Sequence, residues 1–223
     1  MNHVRPHQVF SLVPPNERAF RFFVPTIHCL PAVESAVLVA LLKTVAPIKV
    51  FEFGTYYGET TRLLLENLPA LSDAEDTAPR LFTLDLPATE GVQFVGDDER
   101  LAQESLRGTR AFGDSSKAHL VHQIPEDSMS FDPSPYARQF GYIFIDANHK
   151  EDYVRSDTSA AFEMLADGPA CVLWHDYRNP MYPENTAYLD ELSKEIPLFH
   201  VEETCVVFHP RGFSVPERLP SRG

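Results

Sequence analysis

The chain has 223 residues, 43% hydrophobic and 23% charged, with a formal net charge of -13 and a pI near 5.0. That length suits one sizeable α/β domain, and so acidic a surface repels phosphate backbones and anionic lipid, which argues against nucleic acid and membrane as partners. Cys29, Cys171 and Cys205 form no CxxC pair, so neither a zinc site nor a disulfide framework is indicated; with no signal-peptide core and no membrane-length apolar run, the cytoplasm is the expected compartment.

Residues 1–31, with Pro14, Pro15, Phe20, Phe22, Phe23 and Pro25, read as an irregular arm that packs on the core or on a second copy in a homodimer. A domain over 32–210 follows. Ala32 to Val45 has helical spacing, with Val33, Val37, Ala40, Leu41 and Val45 on one face, and Pro47 stops it. KVFEFG is a short apolar strand ending at Gly54, and GETTRLLLENL is a helix ended by Pro69. Ser72 to Pro79 reads as an acidic surface loop. RLFTLDL is a second strand. The long polar stretch 87–118 reads as a lid or insertion with a helix around Asp98 to Leu106. HLVHQI and GYIFIDAN are the third and fourth strands. A helix from about Lys150 to Leu165 has N-cap spacing in Asn148 and Glu151, with Gly168 and Pro169 past its end. ACVLWHDY is the fifth strand, then a helix from about Asn185 to Glu195, then an antiparallel hairpin from LFHV and TCVVFHP. Residues 211–223 read as a loose tail. Strands alternate with helices and several are apolar on both faces, which predicts a doubly wound, mostly parallel sheet covered by helices on both sides.

In such a sheet, ligands bind beyond the carboxyl ends of the strands. Glu52, Asp85, the Glu126–Asp127–Ser128 turn, Asp146 and the His175–Asp176 pair all fall there. A carboxylate among apolar strand residues is costly unless paired, so the repetition points to one acidic crevice. In FEFGTYYGETT, Gly54 permits a tight turn and Gly58 lets the next helix start close to a ligand. Tyr56 occupies the middle position of a dinucleotide fingerprint, and no Walker lysine follows. The loop therefore favours a nucleoside without a pyrophosphate, and Asp85 is placed to accept two ribose hydroxyls.

These blocks, together with FIDANHKEDYVRSDTSAAFEML and VLWHDY, resemble the class I S-adenosylmethionine-dependent methyltransferases, most closely the O-methyltransferase-like group called the methyltransferase 24 family. The resemblance spans roughly Lys49 to Pro210, and its most specific element is the IDxxH block one helix before WHDY. It implies a seven-stranded Rossmann-like sheet, S-adenosylmethionine as cofactor and a hydroxylated small molecule as acceptor. It also implies that Gly54, Thr55, Tyr56, Gly58 and Thr60 surround the methionine end, with Glu52 beneath, Asp85 on the ribose, Asp127 and Ser128 beside the adenine, and Asp146 bordering the cofactor. Asp114–Ser115 competes for the acidic-serine role, and Asp127 is preferred because it directly follows a strand. Ala147, Pro169 and Glu126 stand where the family often has glycine.

The sulfonium methyl is already activated, so the protein mainly aligns donor and acceptor. A hydroxyl acceptor must also lose its proton to a base or a metal. Asp146, His149 and His175 are the catalytic candidates, and Asp146 with Asp176 matches the carboxylates that hold a divalent cation in some relatives. Two carboxylates suit Mg²⁺, whereas a histidine ligand tilts the choice toward Mn²⁺. Each has a plainer alternative. His149 can simply start a helix, and strand alternation should keep His175 and Asp176 from entering one site together. Trp174 reads as core, Asp157 as an orienting or a solvated residue, and His119 and His122 have no ligand spacing. Competing functions are a dinucleotide-dependent oxidoreductase, a metal-dependent hydrolase and a nucleoside-binding protein without turnover.

Overall fold

A computed structural model describes residues 1–23, 30–70, 78 and 80–216. Cys29, Pro25 and nearly all of the acidic 72–79 loop lie outside the described residues, as does the end of the expected tail. Eight strands form one sheet in the order β1-β7-β8-β6-β5-β2-β3-β4. They are β1 (Asn2–Val4), β2 (Val50–Phe53), β3 (Leu81–Asp85), β4 (Val121–Pro125), β5 (Tyr142–Ile145), β6 (Ala170–Trp174), β7 (Phe199–Val201) and β8 (Val207–Arg211). Strands β2 to β6 are parallel, and β8 runs antiparallel to both β6 and β7, giving the expected hairpin. The sheet has one strand more than expected. Strand β1, inside the arm read as irregular, pairs in parallel with β7. It is three residues long and buries only Val4, too little for a periodic signal. A short helix, α1 (Pro6–Ser11), follows it.

The remaining helices are α2 (Ala32–Val45), α3 (Glu59–Asn67), α4 (Asp98–Arg107), α5 (Glu151–Met164) and α6 (Pro183–Leu192). Alternation along each strand sends residues to opposite faces. Val50, Tyr142, Phe144, Cys171 and Leu173 pack under α1 to α3. Phe51, Phe53, Ile143, Ile145, Val172 and Trp174 pack under α5 and α6. Each such side chain removed from water contributes about 1.5–3 kcal/mol, and the double coverage fixes the register. Helix α2 is buried nearly all round, except that Val33, expected on its core face, is 46% exposed. Its end is a left-handed Ala46 before Pro47. Trp174 is core, as expected, with its Nε1–H donating to the Thr158 hydroxyl at 2.9 Å. No described helix is long and apolar enough to cross a membrane.

After β4 the chain returns to the other side of β2 and lays down β5, so β2 and β5 flank the point where strand order reverses. Their carboxyl ends meet closely. The Asp146 N–H donates to the Phe53 carbonyl at 2.9 Å. A Cβ on Gly54 would lie 2.1 Å from the Asp146 carbonyl oxygen, and Gly54 has φ +90°. Only glycine fits this junction.

Candidate active site

A cavity of about 240 Å³ opens at this junction, walled by Gly54 and Tyr56 after β2, Asp85 at the end of β3, Asp146 to His149 after β5, and His175 and Asp176 after β6. Three of the expected carboxylates therefore share it. Glu52 does not reach it. It lies fully buried on the α3 face of β2, where the hydroxyls of Thr61 and Thr83 donate to Oε2 at 2.5 and 2.8 Å. Burial pushes its pKa up to about 8 against those two hydrogen bonds, and its Oε1 has no hydrogen-bond partner. Glu52 is thus a neutral acid beneath the loop at neutral pH.

Asp85 accepts the Tyr56 N–H at 3.1 Å and the Ser105 hydroxyl at 2.7 Å on Oδ2, and the Leu86 N–H at 3.0 Å on Oδ1. Arg110 lies 3.6 Å from Oδ2. Burial raises its pKa despite Ser105 and Arg110. Tyr56 holds a left-handed φ of +48°. Its carbonyl accepts from Arg110 and Ser105, and its hydroxyl donates to Glu104 at 2.9 Å. The stretch expected as a lid thus folds onto the cavity, with Phe94, Leu101, Ala102 and Ser105 forming its outer wall.

Thr55, Gly58 and Thr60 do not line this cavity. Thr55 is buried against Thr83, hydroxyl to hydroxyl at 2.6 Å. Gly58 has a φ of +73°, and a Cβ at this position would lie 2.7 Å from the Phe112 ring, so the fold itself calls for glycine here. Thr60 faces a second, apolar cavity with Phe22, Phe23 and Leu63, because α3 turns it away from the strand ends. Ser128 is buried in the wall, whereas Asp127 is tied to the Met129 N–H and to the Tyr153 hydroxyl just outside it. Ser115 points elsewhere, donating to Glu66. Asp157, read as orienting or solvated, is fully buried behind Ser128, and burial raises its pKa to about 7 against the Ser128 hydroxyl, which lowers it.

The deepest part is an acid–imidazole cluster. His175 Nδ1 lies 3.3 Å from both Asp146 Oδ1 and Asp176 Oδ2, and its Nε2 lies 3.0 Å from Glu34 Oε2. His149 Nε2 lies 2.8 Å from Asp176 Oδ2, and its Nδ1 lies 3.0 Å from Asp98. The Asp98 carboxylate also accepts the His149 N–H at 2.8 Å, and Tyr182 stacks on the His149 ring at 3.9 Å. Strand alternation alone would separate His175 from Asp176. They converge because β6 ends at Trp174 and Asp176 adopts φ +57°, which turns its side chain back into the cluster. Nor does His149 belong to a helix turn: α5 is capped at Lys150, and the Asn148 side chain accepts the Lys150 N–H instead of capping the helix.

Burial alone would lower the pKa of each histidine, but the surrounding carboxylates outweigh it and hold both well above the ordinary value. Burial likewise favours neutral Asp146 and Asp176, yet the imidazoles hold both carboxylates below their usual range. The ligand-capable atoms of Asp146, His175 and Asp176 all lie within 4.8 Å of one another. Adjacent ligands of an octahedral Mg²⁺ or Mn²⁺ sit roughly 3 Å apart, so the two 3.3 Å separations fit such an ion with little movement.

Sequence reasoning missed Glu34, Asp98, Ser105, Arg110 and Tyr182. One signal was present: Glu34 lies three and four residues before Val37 and Leu38, on the apolar stripe of α2. The others come from the long 87–118 stretch and from a loop, where no periodicity points a side chain.

Residues 51–177 match the family model described as a methyltransferase domain. The chain belongs to this methyltransferase family. Solved structures with the same fold include the S-adenosylhomocysteine-bound methyltransferase PaMTH1 of Podospora anserina, at 13% identity and a TM-score of 0.52, covering 83% of this chain and 80% of that one. The O-methyltransferase TomG of Streptomyces achromogenes, solved with S-adenosylmethionine and involved in tomaymycin synthesis, matches at 16% identity and 0.53, covering 82% of each chain. CalS11, a TDP-rhamnose 3'-O-methyltransferase of calicheamicin biosynthesis, matches at 16% and 0.54, covering 81% and 80%. No curated protein sequence matches the chain.

Proposed function

We propose that this methyltransferase uses S-adenosylmethionine to methylate a hydroxyl group of a small molecule. The observation that carries the reading is that the ends of β2, β3, β5 and β6 deliver Gly54, Asp85, Asp146, His175 and Asp176 to one cavity. Gly54 lets the backbone approach the cofactor. Asp85 accepts the ribose hydroxyls, with the Ser105 hydroxyl giving way or sharing Oδ2. Ser128 borders the adenine, supported from outside by Asp127 and Tyr153. The acceptor enters at the cluster end.

O-methylation needs a sink for the hydroxyl proton. The carboxylates around His149 and His175 favour the protonated rings, and the imidazoles hold Asp146 low, so this arrangement favours none of them as a strong base. This favours a divalent cation held by Asp146, His175 and Asp176. When bound, such a cation lowers the pKa of a hydroxyl beside it. Asp98 and Asp176 take up the two ring nitrogens of His149, which fixes the ring as part of the wall beside the acceptor end.

Calorimetry with S-adenosylhomocysteine and with NAD, with and without Mn²⁺, tests the reading. Binding of the homocysteine nucleoside and not of NAD is expected. Asp85→Ala should weaken that binding at least about 10-fold, since a hydrogen bond to a charged group contributes roughly 1.5–3 kcal/mol. Equal affinity in the variant would remove Asp85 from the ribose.

A further inference from the structure

Glu34 lies far from the strand ends in sequence, yet it is 4% exposed and reaches His175 from the first turn of α2. Its two oxygens are committed. Oε1 accepts the backbone N–H of Cys205 at 2.7 Å, and Oε2 faces His175 Nε2 at 3.0 Å. The other ring nitrogen, Nδ1, points at Asp146 and Asp176. We propose that Glu34 is a positioning residue that keeps a proton on His175 Nε2, so that Nδ1 is the nitrogen that gives up its proton to a cation and becomes the third ligand beside Asp146 and Asp176. Ligation through Nδ1 rests on the cation reading above; the placement of the proton does not.

Donors and acceptors around the ring decide where that proton sits. A carboxylate only accepts, so a nitrogen facing one carries a proton; Glu34 holds one on Nε2, while the proton on Nδ1, facing Asp146 and Asp176, is the one a cation would replace. Glu34 cannot turn away, because the Cys205 N–H is part of the backbone before β8 and holds Oε1 in place. A carboxylate behind a ligating imidazole sets its tautomer and raises its basicity, and loss of such a partner typically costs 10–100-fold in metal affinity. This partner comes from an N-terminal helix and is held by the β7–β8 connection, so two elements outside the five-strand parallel core set the chemistry of the site.

The substitution Glu34→Gln isolates the effect, because it keeps the side chain's shape. The single amide oxygen is claimed by the Cys205 N–H, and the amide nitrogen then faces His175 Nε2. Two donors cannot face each other, so Nε2 gives up its proton and the ring keeps only the one on Nδ1, which Asp146 and Asp176 accept. A cation can then bind His175 only by displacing that proton and forcing Nε2–H against the amide.

Nitrogen-15 NMR of the His175 ring, combined with Mn²⁺ titration followed by electron paramagnetic resonance, tests this in the full chain. In the wild type, Nε2 is protonated both without metal and with diamagnetic Cd²⁺. In Glu34→Gln the metal-free ring is protonated on Nδ1 alone, and Mn²⁺ affinity falls at least about 10-fold with S-adenosylhomocysteine affinity unchanged. A wild-type Nε2 without a proton overturns the proposal even if the variant fails to fold, and so does a variant that keeps Nε2–H. Should the wild type take up no Mn²⁺, the cation reading fails, while Nε2–H in the wild type and its loss in the variant still uphold the role of Glu34.

Discussion

Glu52 should make the protein lose stability as pH rises through neutrality, and Glu52→Gln should remove that loss. The carboxyl is fully buried, and burial holds its pKa near 8 against an unfolded value of 4.5. The raised folded pKa means that the native state retains a proton the unfolded chain has given up between those values. The stabilisation is therefore complete below pH 4.5 and declines as pH climbs through 8. Between pH 6 and pH 8 the unfolded group is essentially ionised throughout, while the folded group goes from almost fully protonated to half ionised. Integration over that window gives a loss of about 2 kcal/mol. For a chain of this size that corresponds to a fall in Tm of about 4–8 °C. Asp157, raised to about 7 by its own burial, contributes a loss of the same sign in both proteins. The quantity to measure is therefore the difference between wild type and Glu52→Gln in the change of Tm from pH 6 to pH 8, by calorimetry at constant ionic strength. The amide keeps the acceptor for Thr61 and Thr83, so the variant should fold. Parallel pH dependence in the two proteins would refute a neutral Glu52.

Gly54→Ala should destabilise by about 3 kcal/mol or more, because its Cβ would collide with the Asp146 carbonyl and its φ is left-handed; a fall in Tm below about 6 °C would mean that β2 and β5 can separate there. Asp98→Ala should lower the pKa of His149, since it removes the carboxylate that touches both its ring and its N–H, and NMR titration of the ring checks this. An unmoved His149 would show that Asp146 and Asp176 set its charge without Asp98.

The sheet was legible because each core strand is apolar on both faces and each turn carries its own stop residue: Pro47 after α2, Pro69 after α3 and Gly54 after β2. Strand β1 was not, since three residues with one buried side chain leave no period to detect. The site residues at strand ends were legible for a similar reason: an acid at the end of an apolar run stands out. Where a role depended on a side chain's direction, the sequence was insufficient. Gly58 and Thr60 sit at the start of α3, where Gly58 packs against Phe112 and Thr60 borders the second cavity. Asp176 enters the cluster only through a positive φ that no neighbouring residue announces. Glu34 was detectable as a charge on a buried helical stripe, although its partner beyond β6 is 141 positions away.

Helix α4 joins the two ends of the cavity. Its first residue, Asp98, holds His149, and Ser105, two turns later, holds Asp85. These are the contacts nearest the proposed acceptor end and the proposed ribose end respectively. A ribose that takes over the lone pairs of Asp85 competes with Ser105 and so loosens one end of the helix, while Asp98 keeps the other in place. Between these two contacts α4 lines the cavity with Leu101 and Ala102 and accepts the Tyr56 hydroxyl on Glu104, so the helix packs along the whole length of the proposed site.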